Sequence, residues 1–129
     1  MLDFSINDNL GIYKYYPNDD VLEIKNVLSY FNNKQLIINR HNAEEIIYDY
    51  FQALTKNDLL KYLKKYKFGD VLIIDDIHFL HSKEEFNHLI SVVKDWLKDN
   101  KKVFLTIDWW DAYDRGIIEY VEKGLKLEN

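Results

Sequence analysis

The sequence predicts an α/β protein built on a parallel sheet, and three observations support this fold class. Short apolar segments of strand length alternate with longer segments in which apolar residues recur at helical spacing. Residues 71–74 (Val-Leu-Ile-Ile) form an unbroken apolar run, which is typical of a strand buried on both faces of a parallel sheet. Asp75 and Asp76 follow at once, at the strand end where open α/β sheets place ligand sites.

The first half of the chain is predicted to hold two strands separated by a helix. The strands are expected at residues 10–14 and 35–39. The helix between them presents one apolar face, formed by Val21, Ile24, Val27, Leu28 and Phe31. Asn42 is predicted to cap the next helix, with Glu45 three residues later in the position of a capping box.

Two helices are predicted before the central strand at residues 71–74. The helix that follows Asn42 carries apolar residues at helical spacing, namely Ile46, Ile47, Tyr50, Phe51 and Leu54. A second helix is expected to begin at Asn57 and to bury Leu59, Leu60 and Leu63.

Beyond the central strand, Ser82 and Glu85 form a second capping-box pattern. The helix that they open has an apolar stripe made of Phe86, Leu89, Ile90, Val93 and Leu97. A fourth strand is predicted at residues 103–107, and residues 125–127 are expected to form a short fifth strand.

Length and composition limit the classes of function. The 129 residues, 47% of them hydrophobic, suit a single domain over residues 1–129. The absence of cysteine excludes disulfides and thiolate metal sites. A formal net charge of −5 opposes nucleic-acid binding by counterion release alone. We find no signal peptide and no apolar run of membrane length, so a cytoplasmic location without membrane contact is expected.

The central strand and the residues after it resemble a known ATPase motif. Residues 74–80 (Ile-Asp-Asp-Ile-His-Phe-Leu) resemble the Walker B segment of the DnaA/Hda family of AAA+ ATPases. In such enzymes the first carboxylate, here Asp75, holds Mg²⁺ and the second, here Asp76, orients water. Residues 105–108 (Leu-Thr-Ile-Asp) resemble the sensor-1 strand of the family, with Asp108 at its end. The resemblance implies a three-layer α/β/α AAA+ core (P-loop NTPase-like), with a five-stranded parallel sheet ordered 5-1-4-3-2.

The phosphate-binding loop departs from the family pattern. Aligned with Gly-x-x-x-x-Gly-Lys-Thr, Lys14 and Asp19 stand at the glycine positions, Asp20 at the lysine and Val21 at the threonine. Pro17 lacks an N–H, and the side chains at the glycine positions disfavour the backbone angles that a phosphate cradle requires. Asp20 places an anion where a cation should meet the phosphates. We therefore expect a protein that binds no cofactor and is not an enzyme.

The far end of the family pattern is also altered. Tyr120 occupies the position of the family's arginine finger, and Arg115 is the nearest arginine that could replace it. Neither the helical lid with its sensor-2 arginine nor the helix-turn-helix domain is expected in this chain.

Three further groups of side chains are candidate sites. Trp109, Trp110 and Tyr113 follow the fourth strand, where they form either a partner-binding surface or a cap over the core. Lys61, Lys64 and Lys65 lie on one face of the helix that is expected to begin at Asn57. They either contact single-stranded DNA or form a solvated helix face, and we favour the solvated face. The histidines lack a metal-ligand spacing, so no metal site is expected; they are His41, His78, His81 and His88.

The function predicted from these observations is that of a catalytically inactive DnaA-like protein. It would act by protein–protein contact in the initiation or regulation of DNA replication, with DnaA or another replication-initiation protein as the partner. The alternatives are a residual nucleotide-binding protein or weak ATPase of the AAA+ class, and a module that binds single-stranded DNA.

Overall fold

The computed structural model describes residues 2–7, 9–15, 28–29, 31–108 and 116–126. Its strands are β1 (Leu2–Asn7), β2 (Leu10–Tyr15), β3 (Ile38–Asn42), β4 (Val71–Asp75) and β5 (Lys102–Asp108). Its helices are α1 (Ala43–Thr55), α2 (Leu59–Tyr66), α3 (Lys83–Lys98) and α4 (Ile117–Lys126), with a 3₁₀ turn at Ile77–Phe79. Residues 28–29 and 31–33 are also helical.

The described strands form one sheet in the order β1-β2-β5-β4-β3. The last four strands of this order are mutually parallel, and β1 pairs with β2 in the antiparallel sense. The predicted α/β class and the predicted order 1-4-3-2 of the parallel strands are confirmed. Strand β1 lies at the edge of the sheet next to β2, in the position predicted for a fifth parallel strand. A strand at residues 2–7 was not predicted from the sequence.

The predicted strand at residues 125–127 is wrong, because Leu125 lies in helix α4. Ile117, Val121 and Leu125 recur every four residues and are all buried, so they form one helical stripe against the core. Residues 125–127 are too few to show a clear period, so their apolar pattern alone does not distinguish a strand from the end of a helix.

The sheet is covered on both faces, as expected for a three-layer core. Leu72 and Ile74 of β4 point into the larger hydrophobic cluster, which includes buried residues of all four numbered helices. Val71 and Ile73 point to the opposite face and pack with Phe31 from the helical residues that precede β3. Strand β4 is therefore buried on both faces, as its unbroken apolar run predicts.

The second parallel strand begins later than predicted. It covers Ile38–Asn42 rather than residues 35–39. Gln35 has a left-handed φ of 59°, and the N–H of Leu36 donates to the carbonyl of Phe31 at 3.2 Å, so these residues close the preceding helix. This shift places Arg40 inside the strand, with consequences for the site.

Helix α2 buries different residues from those predicted. Leu59, Leu60 and Leu63 are 41%, 66% and 39% exposed, whereas Tyr62 and Tyr66 are buried. The Tyr66 hydroxyl donates to Asp49 Oδ2 at 2.6 Å, so its burial leaves no unpaired polar group. The helix begins at Leu59 rather than at Asn57, because Asn57 has a left-handed φ of 54°.

Both predicted helix caps are present in the structure. The Asn42 side chain accepts the N–H of Glu45 at 2.8 Å. Ser82 and Glu85 complete a reciprocal capping box, with distances of 3.1 and 2.9 Å between side-chain oxygens and backbone nitrogens. The apolar stripe of α3 is buried as predicted up to Val93, but its last buried member is Trp96 rather than Leu97.

Among the described residues, no helix combines the length and apolar character needed to cross a membrane.

Candidate functional site

The carboxyl ends of the parallel strands bring the predicted site residues to one edge of the sheet. Asp75 ends β4 and pairs in register with Asn42 at the end of β3. Asp108 ends β5 and pairs in register with Tyr15, the last residue of β2. Lys14 lies within β2, one residue before its end. The sheet therefore gathers the Walker B-like and sensor 1-like positions at the edge where nucleotide hydrolases work.

Both carboxylate oxygens of Asp75 are bound by protein donors. Arg40 Nε lies 2.5 Å from Oδ2, and the Thr106 hydroxyl donates to Oδ1 at 3.0 Å. Arg40 reaches Asp75 from the neighbouring strand β3, where its backbone pairs in register with Ile73. The Arg40 side chain is 42% exposed and that of Asp75 only 18%. The carboxylate is thus turned inward, against a guanidinium supplied by the same chain.

Thr106 links the two acidic residues. It is 2% exposed, and its hydroxyl accepts the backbone N–H of Asp76 at 2.9 Å while donating to Asp75. Asp76 adopts a left-handed conformation with φ 59° and ψ 52°, which among residues other than glycine is adopted mainly by asparagine and aspartate. Sequence reasoning did not assign Thr106 a role, although a single hydroxyl within the apolar strand β5 was a visible signal.

His78 serves as a structural connection between the turn after β4 and the end of β5. It is 6% exposed, and its Nδ1 accepts the backbone N–H of Asp108 at 3.1 Å. Throughout the described ranges, no three His, Asp or Glu side chains come close enough to hold a metal ion.

The residues at this edge do not fit a magnesium ion on Asp75. Mg²⁺ requires oxygen ligands in near-octahedral geometry, with a carboxylate free to face the ion or its water shell. Here one oxygen of Asp75 accepts from Thr106 and the other contacts a cation, Arg40. A divalent ion that approached this carboxylate would be repelled by the adjacent guanidinium and would compete with it for Oδ2.

The predicted basic face of α2 is divided by an ion-pair network. Lys65 Nζ lies 2.8 Å from Asp49 and 3.0 Å from Glu45, both on α1, and hydrogen bonds to these two carboxylates raise the pKa of Lys65. Lys61 and Lys65 line a cavity of about 330 Å³ between α1 and α2. Lys64 is exposed and does not line that cavity. The three lysines therefore do not act as one uniform cationic surface.

Burial raises the pKa of Asp49, but hydrogen bonds from Lys65 and Tyr66 outweigh this effect and lower it overall. Burial also raises the pKa of Tyr66, and the nearby carboxylate of Asp49 raises it further. Asp49 is therefore charged and Tyr66 neutral over the physiological pH range. This pair anchors α2 to α1.

Several predicted site residues lie outside the described part of the chain. They are Pro17, Asp19, Asp20, Val21, Trp109, Trp110, Tyr113 and Arg115. Tyr120, at the position of the arginine finger, lies on α4, and its hydroxyl donates to Asn87 Oδ1 at 2.6 Å.

Similarity to known proteins agrees with this architecture. The family model of the bacterial DnaA ATPase domain matches residues 20–117. The chromosomal replication initiator protein DnaA of Methylacidiphilum infernorum (isolate V4) is 34% identical over 104 residues, which cover 74% of this chain and 22% of that protein. DnaA of Buchnera aphidicola subsp. Cinara cedri is 29% identical over 96 residues, with the same two coverages. The chain thus spans about a fifth of the length of these relatives.

Solved structures show the same fold. Domain III of the Thermotoga maritima replication initiation protein DnaA superposes with a TM-score of 0.61 at 20% identity, over 75% of this chain and 43% of that one. AMPPCP-bound DnaA from Aquifex aeolicus also gives a TM-score of 0.61, at 17% identity, over 80% of this chain and 32% of that one. Together with the match to the family model over most of its length, these findings show that the chain belongs to the bacterial DnaA ATPase-domain family.

Proposed function

We propose that this chain is a DnaA-like AAA+ core that does not hydrolyse ATP and acts by protein–protein contact in the initiation or control of DNA replication. The observation that carries the proposal is the closed environment of Asp75. In a P-loop NTPase the corresponding carboxylate serves Mg²⁺. In this chain Arg40 and Thr106 already hold both of its oxygens.

Charge opposes a metal at this position. Two unit charges about 4 Å apart repel by about 4 kcal/mol at an effective dielectric constant of 20, and a divalent ion doubles this value. Solvent screens part of the repulsion, because the Arg40 side chain is 42% exposed. The sequence adds Asp20, an anion, at the position of the lysine that would meet the phosphates, so the phosphate-binding half of a nucleotide site is also altered.

The first experiment measures nucleotide binding and hydrolysis directly. We expect ATP with Mg²⁺ to leave the melting temperature of the wild-type protein unchanged. Binding would be visible in this assay, because a ligand at 100 times its Kd adds about 2.7 kcal/mol of stability. Release of phosphate should equal that of the Asp75→Asn variant. A magnesium-dependent rise in melting temperature, or hydrolysis that disappears in Asp75→Asn, would overturn the proposal.

A second variant isolates the part played by Arg40. Arg40→Gln removes the cation and keeps a hydrogen-bonding side chain, so Asp75 becomes accessible to a divalent ion. We expect Mn²⁺ to bind Arg40→Gln measurably in a titration followed by electron paramagnetic resonance, and not to bind the wild-type protein. Equal Mn²⁺ binding by both proteins would show that Arg40 does not block the carboxylate.

The proposed partner is DnaA or another replication-initiation protein, and the proposed contact surface is Trp109, Trp110 and Tyr113. Large aromatic side chains supply much contact area at low entropic cost. Trp110→Ala should weaken partner binding by about 2 kcal/mol or more while the far-UV circular dichroism stays native. If these residues cap the core instead, the same variant loses about 3–5 kcal/mol of stability.

Two alternatives draw on the relatives. One solved neighbour is a replication initiator DnaA bound to AMPPCP and single-stranded DNA, with a TM-score of 0.56 at 22% identity over 78% of this chain. Residual nucleotide binding is tested by the melting experiment above. Binding of single-stranded DNA through Lys61 and Lys64 predicts a loss of oligonucleotide affinity when both are changed to Gln, and retention of that affinity in a matched Lys98→Gln control on α3.

A further inference from the structure

Helices α3 and α4 pack side by side and leave a groove between them on the protein surface. Its volume is about 620 Å³. We call it the α3–α4 groove and define it by lining residues of both helices, namely Asn87, Ile90, Lys94, Lys98, Tyr120 and Lys123. The α3 members recur every three or four positions between 87 and 98, so they form one stripe along the helix. At about 1.5 Å per residue this stripe is about 16 Å long.

The floor of the α3–α4 groove is apolar. Ile90 lines it and is 8% exposed. The facing residue of α4 is Gly124, where an added Cβ would lie 2.6 Å from Ile90 Cδ1. Because glycine has no side chain, α4 fills no part of the groove at this point. The floor is therefore open to an apolar side chain that enters from outside, and burial of such a side chain is favourable.

Tyr120 forms one wall of the groove and is 36% exposed. Its ring contacts Phe86 edge-on, with 6.2 Å between the ring centroids, and its hydroxyl donates to Asn87 Oδ1 at 2.6 Å. These two contacts hold the ring in place before any partner arrives, so binding costs little further side-chain entropy. Tyrosine is also among the residue types enriched at binding hot spots.

The rim of the groove is positively charged. Lys94, Lys98 and Lys123 line it, together with a single carboxylate, Asp95. This local excess of cations contrasts with the formal net charge of −5 for the whole chain. Lys98 and Lys123 are exposed, and neither is in an ion pair with another residue that the structure describes, whereas Lys65 of α2 contacts two carboxylates of α1. The charge of the rim is therefore available to a partner of opposite charge.

We propose that the α3–α4 groove binds an acidic amphipathic helix of a partner protein. In the helix-in-groove mode of recognition, apolar side chains one turn apart enter an apolar groove. Here they would contact Ile90 and Tyr120, while glutamates or aspartates beside them would meet the lysines of the rim. A groove of about 16 Å accommodates about three turns of such a helix.

The combination of floor and rim favours this ligand over a phosphate or a nucleic-acid backbone. A phosphate group would use only the exposed lysines and would leave the apolar floor in contact with water. An acidic amphipathic helix uses both parts of the groove. The inference goes beyond the proposed function and does not depend on whether the chain hydrolyses ATP, since neither Asp75 nor Asp108 lines the groove.

The test uses synthetic peptides as the probe. Each is labelled with fluorescein, contains about eleven residues, or three helical turns, and carries two leucines flanked by glutamates. A lactam bridge on the opposite side keeps it helical, because a helix this short is otherwise marginal in water. Three versions place the leucines three, four or seven positions apart, so that a wrong spacing is not mistaken for a lack of binding. We expect at least one version to bind the wild-type protein saturably in a fluorescence anisotropy titration.

Two variants locate the binding in the groove. Combining Lys98→Glu with Lys123→Glu reverses the charge of the rim and should raise the Kd of the peptide about tenfold or more. Tyr120→Ala removes the wall and should raise it about tenfold. Lys64→Glu combined with Lys67→Glu is the matched control, because it changes the charge equally at two exposed positions outside the groove, and its Kd should equal that of the wild-type protein. Far-UV circular dichroism confirms that each variant is folded.

A peptide with serine in place of both leucines should bind about tenfold more weakly, because it lacks the apolar anchor. Equal binding of this peptide would overturn the proposal, since a simple anion site needs no leucine. Failure of all three leucine peptides to bind would also overturn it, as would an equal loss of affinity in the control variant. So would displacement of the peptide by inorganic phosphate or a single-stranded oligonucleotide at matched ionic strength. Self-association of the wild-type protein that the Lys98→Glu and Lys123→Glu pair abolishes would instead assign the groove to a second copy of this chain, against the proposal.

Discussion

Replacing Thr106 with valine tests whether its buried hydroxyl holds the two acidic residues in place. Valine has nearly the same shape, so the change removes two hydrogen bonds and little packing. The lost bonds are the one donated to Asp75 at 3.0 Å and the one accepted from the Asp76 N–H at 2.9 Å. A hydrogen bond to a charged group contributes about 1.5–3 kcal/mol, and a neutral one about 0.5–1.5 kcal/mol. We therefore expect Thr106→Val to lower the free energy of unfolding by about 2–4 kcal/mol.

Thr106→Ser is the matched control, because serine keeps the hydroxyl and loses one buried methyl group, which costs about 1 kcal/mol. Urea denaturation followed by circular dichroism gives both values under the same conditions. The reasoning fails if Thr106→Val is no less stable than Thr106→Ser. That result would mean that the left-handed backbone at Asp76 does not depend on the threonine hydroxyl.

Three further predictions concern the helical layer and one turn. Burial lowers the pKa of His88 to about 4, from an ordinary value of 6.5. Between these two pH values the unfolded chain binds a proton that the folded protein does not. The free energy of unfolding therefore falls as the pH drops from about 6.5 to about 4. The His88→Gln variant keeps a hydrogen-bond partner for the Tyr62 hydroxyl but cannot take up this proton. Urea titrations should therefore show a fall in unfolding free energy that is smaller than that of the wild-type protein by about 2 kcal/mol, a value reduced because His88 is partly exposed. Trp96→Phe should cost about 2–4 kcal/mol by the same assay, because the buried indole donates to the Tyr66 carbonyl at 2.9 Å. Gly69→Ala should cost about 1–3 kcal/mol in thermal denaturation, since φ is +97° and the new methyl group would lie 3.0 Å from a backbone carbonyl oxygen.

The features that sequence reasoning predicted correctly are encoded locally. The four apolar residues before Asp75 identify β4, because successive side chains of a strand point to opposite faces and all four are apolar only when both faces are covered. Ser82 and Glu85 identify a helix start because the reciprocal cap needs only residues three positions apart. Family resemblance then supplied the order of the parallel strands.

The features that it missed depend on contacts between distant residues. On α2, leucines and tyrosines both recur at helical spacing, and periodicity alone does not say which stripe is buried. The choice of Tyr62 and Tyr66 depends on partners elsewhere, such as Asp49 for the Tyr66 hydroxyl. The Arg40–Asp75 pair joins residues 35 positions apart, and a predicted strand that ended at residue 39 left Arg40 in a loop.

The central position of β5 in the sheet determines the order in which the chain can fold. β5 lies between β2 and β4, and its backbone is hydrogen-bonded to both. Strands β1 and β2 can pair early as a hairpin, and β3 can pair with β4, but these two half-sheets share no hydrogen-bonded edge until residues 102–108 are inserted between them. Pairing β2 with β5 closes a loop of about 90 residues. This step is slow, because the chain loses entropy before the stabilising contacts form. During synthesis on the ribosome each half-sheet therefore keeps an open strand edge until β5 emerges.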